Sequence, residues 1–214
     1  MIDNYRHKGL RKKLIVTIRQ KGITDERILT AIGKIPRHFF LDRAFEDWAY
    51  KDAAFPIGNE QTISQPYTVA YQTELLQIKA KDRVLEIGTG SGHQAAVLAK
   101  LVKHVYTIEI IEGLANEATA RLQRLGYNNV TTRLGDGYYG WQEHAPFDAI
   151  VVTASANHVP PPLVQQLRPG GRMVIPVGGR FMTQQLLLLE KTENNEIITR
   201  QMGSVRFVPL TRGR

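Results

Sequence analysis

The sequence predicts an α/β protein: a doubly wound, Rossmann-like sheet with a helical N-terminal extension and a C-terminal β-hairpin. Three observations predict it. After Lys81, short β-branched runs alternate with segments of helical period, the pattern of βαβ units and a parallel sheet. The first run, VLEIG, breaks into glycines at alternate positions, Gly88, Gly90 and Gly92. The last 30 or so residues hold two β-type runs around a Glu-Asn-Asn-Glu break, which reads as an antiparallel hairpin.

The elements follow in order. LRKKLIVTIRQKG places Leu10, Leu14, Ile15 and Ile18 on one helical stripe, and Gly22 suits the end of that helix. A second helix opens at Thr24 with Asp25 and Glu26 in its first turn, where acids suit the helix dipole, and stops at Pro36. Residues 42–63 show no sustained period and read as an irregular connection; a loop of that length usually serves a site. Ser64 precedes Gln65-Pro66 at the start of a further helix over 65–78, where an N-cap serine is the plain reading. RVLEIG, HVYTIEI, NVTTRLG and FDAIVVTA are the buried strands, with helices HQAAVLAKL and EGLANEATARLQRLG between the first three. A helix over 161–167 leads through RPGG to the strand RMVIPVG. The chain reads as one domain over 1–214: residues 1–80 form the extension and a substrate-side loop, and 81–214 the α/β core.

Composition narrows the chemistry. With 43% hydrophobic and 22% charged residues among 214, the chain can bury a core. It has no cysteine, so disulfides and thiolate chemistry are excluded. No apolar run approaches the roughly 20 residues of a membrane span, and the N-terminus lacks the apolar core of a signal peptide, so a cytoplasmic protein is expected. The net charge of +8 is concentrated: residues 1–21 carry seven Lys/Arg against Asp3 alone. A surface helix with a solvated basic face is the reading the pattern favours, and an RNA- or membrane-contacting arm is the alternative.

The residues around the glycines select a cofactor. A P-loop needs Gly-Lys-Ser/Thr, but Gly92 is followed by His93 and Gln94. The dinucleotide fingerprint needs a third glycine where His93 stands, so a pyrophosphate site is disfavoured. Glu86, two residues before Gly88, would repel a pyrophosphate and suits a ligand with a cationic centre and an ammonium group, as S-adenosylmethionine has. Glu109 ends the next strand, 21 residues after Gly88, where ribose hydroxyls need an acceptor. Asp136, in GDG after the third strand, is placed to face an adenine. Three acids in register on consecutive βα units point to a class I methyltransferase.

PIGNEQTISQPYTVA, VLEIGTGSGHQAAVLA, GDGYYGW, APFDAIVVTA, LRPGGRMVIPVG and VRFVPL, in this order, resemble the protein-L-isoaspartate (D-aspartate) O-methyltransferases of bacteria and archaea. The resemblance spans nearly the whole chain. It implies methyl transfer from S-adenosylmethionine, leaving S-adenosylhomocysteine, to the free α-carboxylate of isoaspartyl residues in damaged proteins, with repair through a succinimide and no metal. The family's active-site serine falls on Ser64. Cofactor contacts fall on Glu86, Gly88, Gly90, Ser91, Gly92, Glu109, Asp136, Gly137 and Thr211, and substrate contacts on Ile63, Ser64, Gln65 and Val208. Glu60 stands where many members have glycine. The expected partners are isoaspartyl proteins and peptides, with no obligate nucleic acid or membrane and a monomeric chain. The rival readings are a methyltransferase for RNA or a small molecule, and a non-catalytic module that binds adenosylmethionine.

Overall fold

The computed structural model describes residues 2–179 and 182–213. The N-terminal extension forms α1 (Tyr5–Gln20) and α2 (Glu26–Lys34), then a two-stranded hairpin, β1 (Phe55–Gly58) and β2 (Gln61–Ile63), then α3 (Pro66–Leu76). The core follows as β3 (Arg83–Ile87), α4 (His93–Ala99), β4 (His104–Glu109), α5 (Glu112–Arg124), β5 (Val130–Leu134), β6 (Phe147–Val152), α6 (Pro161–Gln166), β7 (Leu167–Val177), β8 (Gln184–Lys191) and β9 (Ile197–Val205).

These strands make one seven-stranded sheet in the order β5-β4-β3-β6-β7-β8-β9. The first five are parallel, and β8 and β9 are antiparallel additions at one edge. The chain steps outward from β3 to β5 and then returns to β6 on the other side of β3. The switch in direction opens a crevice beyond the carboxyl ends of β3, β4 and β6. Alternation along β3 explains the two faces. Val84 packs with the N-terminal helices, α3 and α4, whereas Leu85 and Ile87 join Phe147, Met173 and Leu163 on the opposite face. Glu86 shares the face of Val84 and is fully buried.

The structure corrects several sequence expectations. Residues 42–63 are not irregular throughout: Asp42 caps a short 3-10 helix over Arg43–Trp48, and the β1–β2 hairpin follows. Its turn has positive φ at both Asn59 and Glu60, 51° and 58°, a geometry that side-chain periodicity does not report. Strand β7 begins at Leu167 and includes RPGG, earlier than its β-branched residues suggest. Ser64 is not the N-cap of α3; Gln65 holds that position with no side-chain cap. Asp52 Oδ1 instead accepts the Tyr67 amide at 2.8 Å, so a carboxylate distant in sequence serves the helix end.

The basic helix α1 also differs from a plain amphipathic one. His7 and Arg11 are buried beside Leu14 and Ile18. Arg11 holds Asp3 bidentately at 2.9 and 2.8 Å, donates to the Tyr50 hydroxyl at 2.9 Å and to the Gly33 carbonyl at 2.9 Å. Asp3, His7 and His38 have the side chains of a metal site within 4.8 Å of one another. Their contacts make them a latch instead: Asp3 is held by the guanidinium, and the two imidazole rings stack at 3.9 Å.

Candidate active site

The turn after β3 sits in the crevice because its glycines allow it. Gly88, Gly90 and Gly92 have φ of 94°, 53° and 86°, the left-handed region that glycine enters without steric cost. A Cβ on Gly88 would stand 2.6 Å from Thr153 Oγ1, which donates to the Gly88 carbonyl at 2.7 Å. Thr153, just past β6, therefore clamps the turn against the neighbouring strand.

Glu109 ends β4 on the next side of the crevice. Its Oε2 accepts the Gly90 amide at 2.8 Å, and Oε1 accepts those of Ile110 and Ile111 at 2.9 and 3.0 Å. One carboxylate thus fixes the glycine turn and the start of the following loop, so both edges of the crevice share one geometry. Gly137 lies over Ile87, against whose Cγ2 a Cβ would collide.

Glu86 has the opposite environment. Both carboxylate oxygens are buried and have no hydrogen-bond partner among the described residues. Loss of hydration pushes the carboxyl up to about 8; the neighbouring Thr107 hydroxyl opposes the rise and the Glu109 charge adds to it. A buried anion without a partner is costly, and a cationic ligand group in the crevice would relieve it. His93 also lines the crevice with both ring nitrogens unpartnered among the described residues, and burial holds its pKa well below the ordinary value. It is a neutral wall at physiological pH.

The tail closes the far side. Val208 and Leu210 bridge to Ser155, with N–O distances of 2.8 and 2.7 Å, so residues 208–211 cross the mouth of the crevice. Arg212 Nε and the Gly213 amide then donate to Asp136 Oδ2 at 2.9 and 3.1 Å, and the guanidinium lies 3.7 Å over the Tyr138 ring.

The crevice gathers Ile63, Ser64, Glu86, Gly88, Gly90, Ser91, Glu109, Gly137, Val208 and Thr211 from the sequence-predicted set. Three lie elsewhere. Gly92 caps α4 and packs toward Leu122; Gln65 turns its amide to Asp52; the Asp136 carboxylate is engaged by the tail. Sequence reasoning passed over Thr62, Thr89, His93 and Thr153, which also line it. Threonines at strand ends look like ordinary β-formers, so no local signal separates them from core residues. Ser64 occupies a particular place: it lines this crevice and also a second cavity beside α3, and the two share Thr62, Thr153 and Val208 as well.

Comparison with known proteins gives a consistent picture. The family model described as protein-L-isoaspartate(D-aspartate) O-methyltransferase matches residues 9–214. A protein-L-isoaspartate O-methyltransferase 1 of Cupriavidus necator is 60% identical over 186 residues, covering 87% of this chain and 72% of the relative. A protein-L-isoaspartate O-methyltransferase of Christiangramia forsetii is 52% identical over 210 residues, 98% of each chain. Among solved structures, a protein-L-isoaspartate O-methyltransferase superposes with a TM-score of 0.85 at 31% identity over 93% of this chain; the match spans 65% of that longer chain. A second, from Plasmodium falciparum and bound to S-adenosyl-L-homocysteine, superposes at 0.80 with 26% identity, covering 95% of this chain and 99% of the other.

Proposed function

The chain belongs to the protein-L-isoaspartate(D-aspartate) O-methyltransferase family, and we propose that it carries out the family's reaction in this crevice with Ser64 as the group that holds the acceptor. The reaction transfers a methyl group from S-adenosylmethionine to the free α-carboxylate of an L-isoaspartyl residue. The donor set fits that cofactor: Glu86 offers an unpartnered buried carboxylate to a cationic group, and Gly88, Gly90 and Gly137 line the crevice with bare backbone. Glu86, Gly88, Gly90, Ser91, Glu109, Gly137 and Thr211 would hold it. When bound, S-adenosylmethionine supplies an electrophilic methyl group on a cationic sulfur.

The residues have little acid–base work to do. A carboxylate of reference pKa near 4 is already an anion at neutral pH, so its oxygen is nucleophilic without a general base. Neutral His93 agrees with a site that takes no proton. What remains is positioning and exclusion of water. Ser64 donates a hydrogen bond to the acceptor carboxylate and fixes which oxygen faces the donor. Ile63, Thr62, Thr153 and Val208 form the surrounding walls. Once the ester has formed, the following backbone nitrogen attacks its carbonyl. The nitrogen loses its proton, methanol leaves and a succinimide closes; hydrolysis of the ring returns some normal aspartate.

The observation that carries this reading is Ser64 at the junction of two cavities, its hydroxyl not spent on capping α3. Ser64→Ala is expected to lower kcat about 10- to 100-fold, the worth of one hydrogen bond to a charged group. Its cofactor Kd should stay within about twofold of the wild type. Unchanged turnover of an isoaspartyl peptide would remove Ser64 from the mechanism.

The chain is further read as a cytoplasmic monomer acting on proteins and peptides. Four of the seven basic side chains in residues 1–21 pair with acids of the chain itself, namely Arg6, Arg11, Arg19 and Lys21. That supports a structural helix over a nucleic-acid arm. No helix among the described residues is long and apolar enough to cross a membrane.

A further inference from the structure

Beyond the transfer site, we infer that the cavity beside α3 receives the residues flanking the isoaspartyl group, and that Arg206 makes it select an acidic flank. This rests on the function proposed above. The cavity, of about 450 Å³, adjoins the transfer site and shares Thr62, Ser64, Thr153 and Val208 with it. For a peptide whose isoaspartyl carboxylate reaches Ser64, this is the adjoining space for its neighbouring residues.

The walls indicate what those residues meet. Tyr67 and Tyr71 of α3 lie parallel at 5.8 Å, and the Tyr71 hydroxyl donates to the Met202 carbonyl at 3.0 Å, tying the helix to β9. These rings offer a flat apolar surface that tolerates many side chains. Charge is supplied by one residue. Arg206 is the only lining residue ionised at neutral pH among those described. Nearby arginines are already used: Arg200 pairs with Glu190 and Arg212 with Asp136, whereas Arg206 forms no ion pair among the described residues.

Asp52, bonded to Gln65 and Tyr67 of the cavity wall, cannot balance it. Asp52 accepts from Tyr67 N at 2.8 Å, Gln65 Nε2 at 2.9 Å and Lys21 Nζ at 2.5 Å, so its charge is matched within the scaffold. Glu74, behind Tyr71, is engaged by the Thr24 and Asp25 amides at 2.7 and 2.8 Å, so the lining itself carries only the positive charge of Arg206, and an acidic side chain near the isoaspartyl residue is favoured where a basic one is repelled. Arg206 is a specificity residue; it has no part in methyl transfer.

The test uses the full-length protein and six neutral-backbone isoaspartyl peptides, with Glu, Gln or Lys two residues before or two residues after the isoaspartyl position. On at least one side, kcat/KM should fall in the order Glu, Gln, Lys. The span should be about five- to tenfold at low salt, expressed in KM, and should shrink at high salt, as for an exposed ion pair. Arg206→Gln should bring the Glu-to-Lys ratio to about one, and Arg206→Glu should invert it. Wild-type indifference to charge on both sides, or an unchanged order in Arg206→Glu, would overturn the subsite while leaving the methyltransferase reading intact. Methylation of none of the six by the wild type would overturn both.

Discussion

At the scale of the residue, Glu86 is the group whose environment is least balanced. Its carboxyl is pushed up to about 8 in the folded chain and returns near 4.5 when unfolded. Between those values the native state keeps a proton that the unfolded state has lost. Native protein then binds more protons, so stability without cofactor falls as pH rises through about 4.5 to 8. Glu86→Gln keeps the shape and removes the titration. Thermal melts from pH 5 to 8 should therefore show a flatter pH dependence for Glu86→Gln, with a higher midpoint near pH 8. Cofactor affinity should drop at least about tenfold, because a neutral amide does not match a cation. In the wild type, cofactor binding below pH 8 should release a proton, read as a buffer-dependent enthalpy in titration calorimetry. A variant that binds as tightly as wild type would show that Glu86 faces no cationic group. Glu86 illustrates how much of a site a sequence reveals: the acid before a glycine turn is legible at once, whereas its lack of partners depends on what packs around it.

At the scale of the element, the β1–β2 hairpin delivers Ile63 and Ser64 to the crevice, and its turn carries a strained residue. Glu60 sits at φ 58° with no glycine to relieve it, following Asn59 at 51°. A non-glycine residue in the left-handed region costs about 1–2 kcal/mol, and glycine returns about 0.5–1 kcal/mol of that through its greater freedom when unfolded. Glu60→Gly should thus stabilise the protein by about 0.5–1 kcal/mol, raising Tm by a few degrees. Calorimetric melting of the pair checks this; a lower Tm would mean that the Glu60 side chain contributes more than its backbone costs. The same element marks a boundary of sequence reasoning. The strands of the core were readable because Val84 and Leu85 commit to opposite faces by simple alternation. A three-residue strand such as β2 is too short to express a period, and a turn that uses Asn-Glu in place of Asn-Gly hides its own type.

At the scale of the whole molecule, the site is assembled from segments that meet only in the fold. Ser64 comes from the extension, Glu86 and Glu109 from adjacent parallel strands, and Thr211 from a tail that returns across the sheet. The order of acids on successive βα units was legible because chain order and sheet order agree from β3 to β5. The partner of Asp136 was not, since Arg212 lies 76 residues away and nothing local to GDG reports it. Arg11 departs from the solvated basic face expected of the first helix for the same reason: its burial depends on Gly33 and Tyr50, supplied by segments that follow. The proposed function requires this assembled crevice to methylate isoaspartyl and not ordinary aspartyl carboxylates. It is tested most directly by methyl transfer from labelled S-adenosylmethionine to two synthetic peptides that differ only in isoaspartate or aspartate at one position. Base-labile label is expected on the isoaspartyl peptide alone, at least about a hundredfold over its twin. Equal labelling of both, or label on neither while the cofactor still binds, would contradict it.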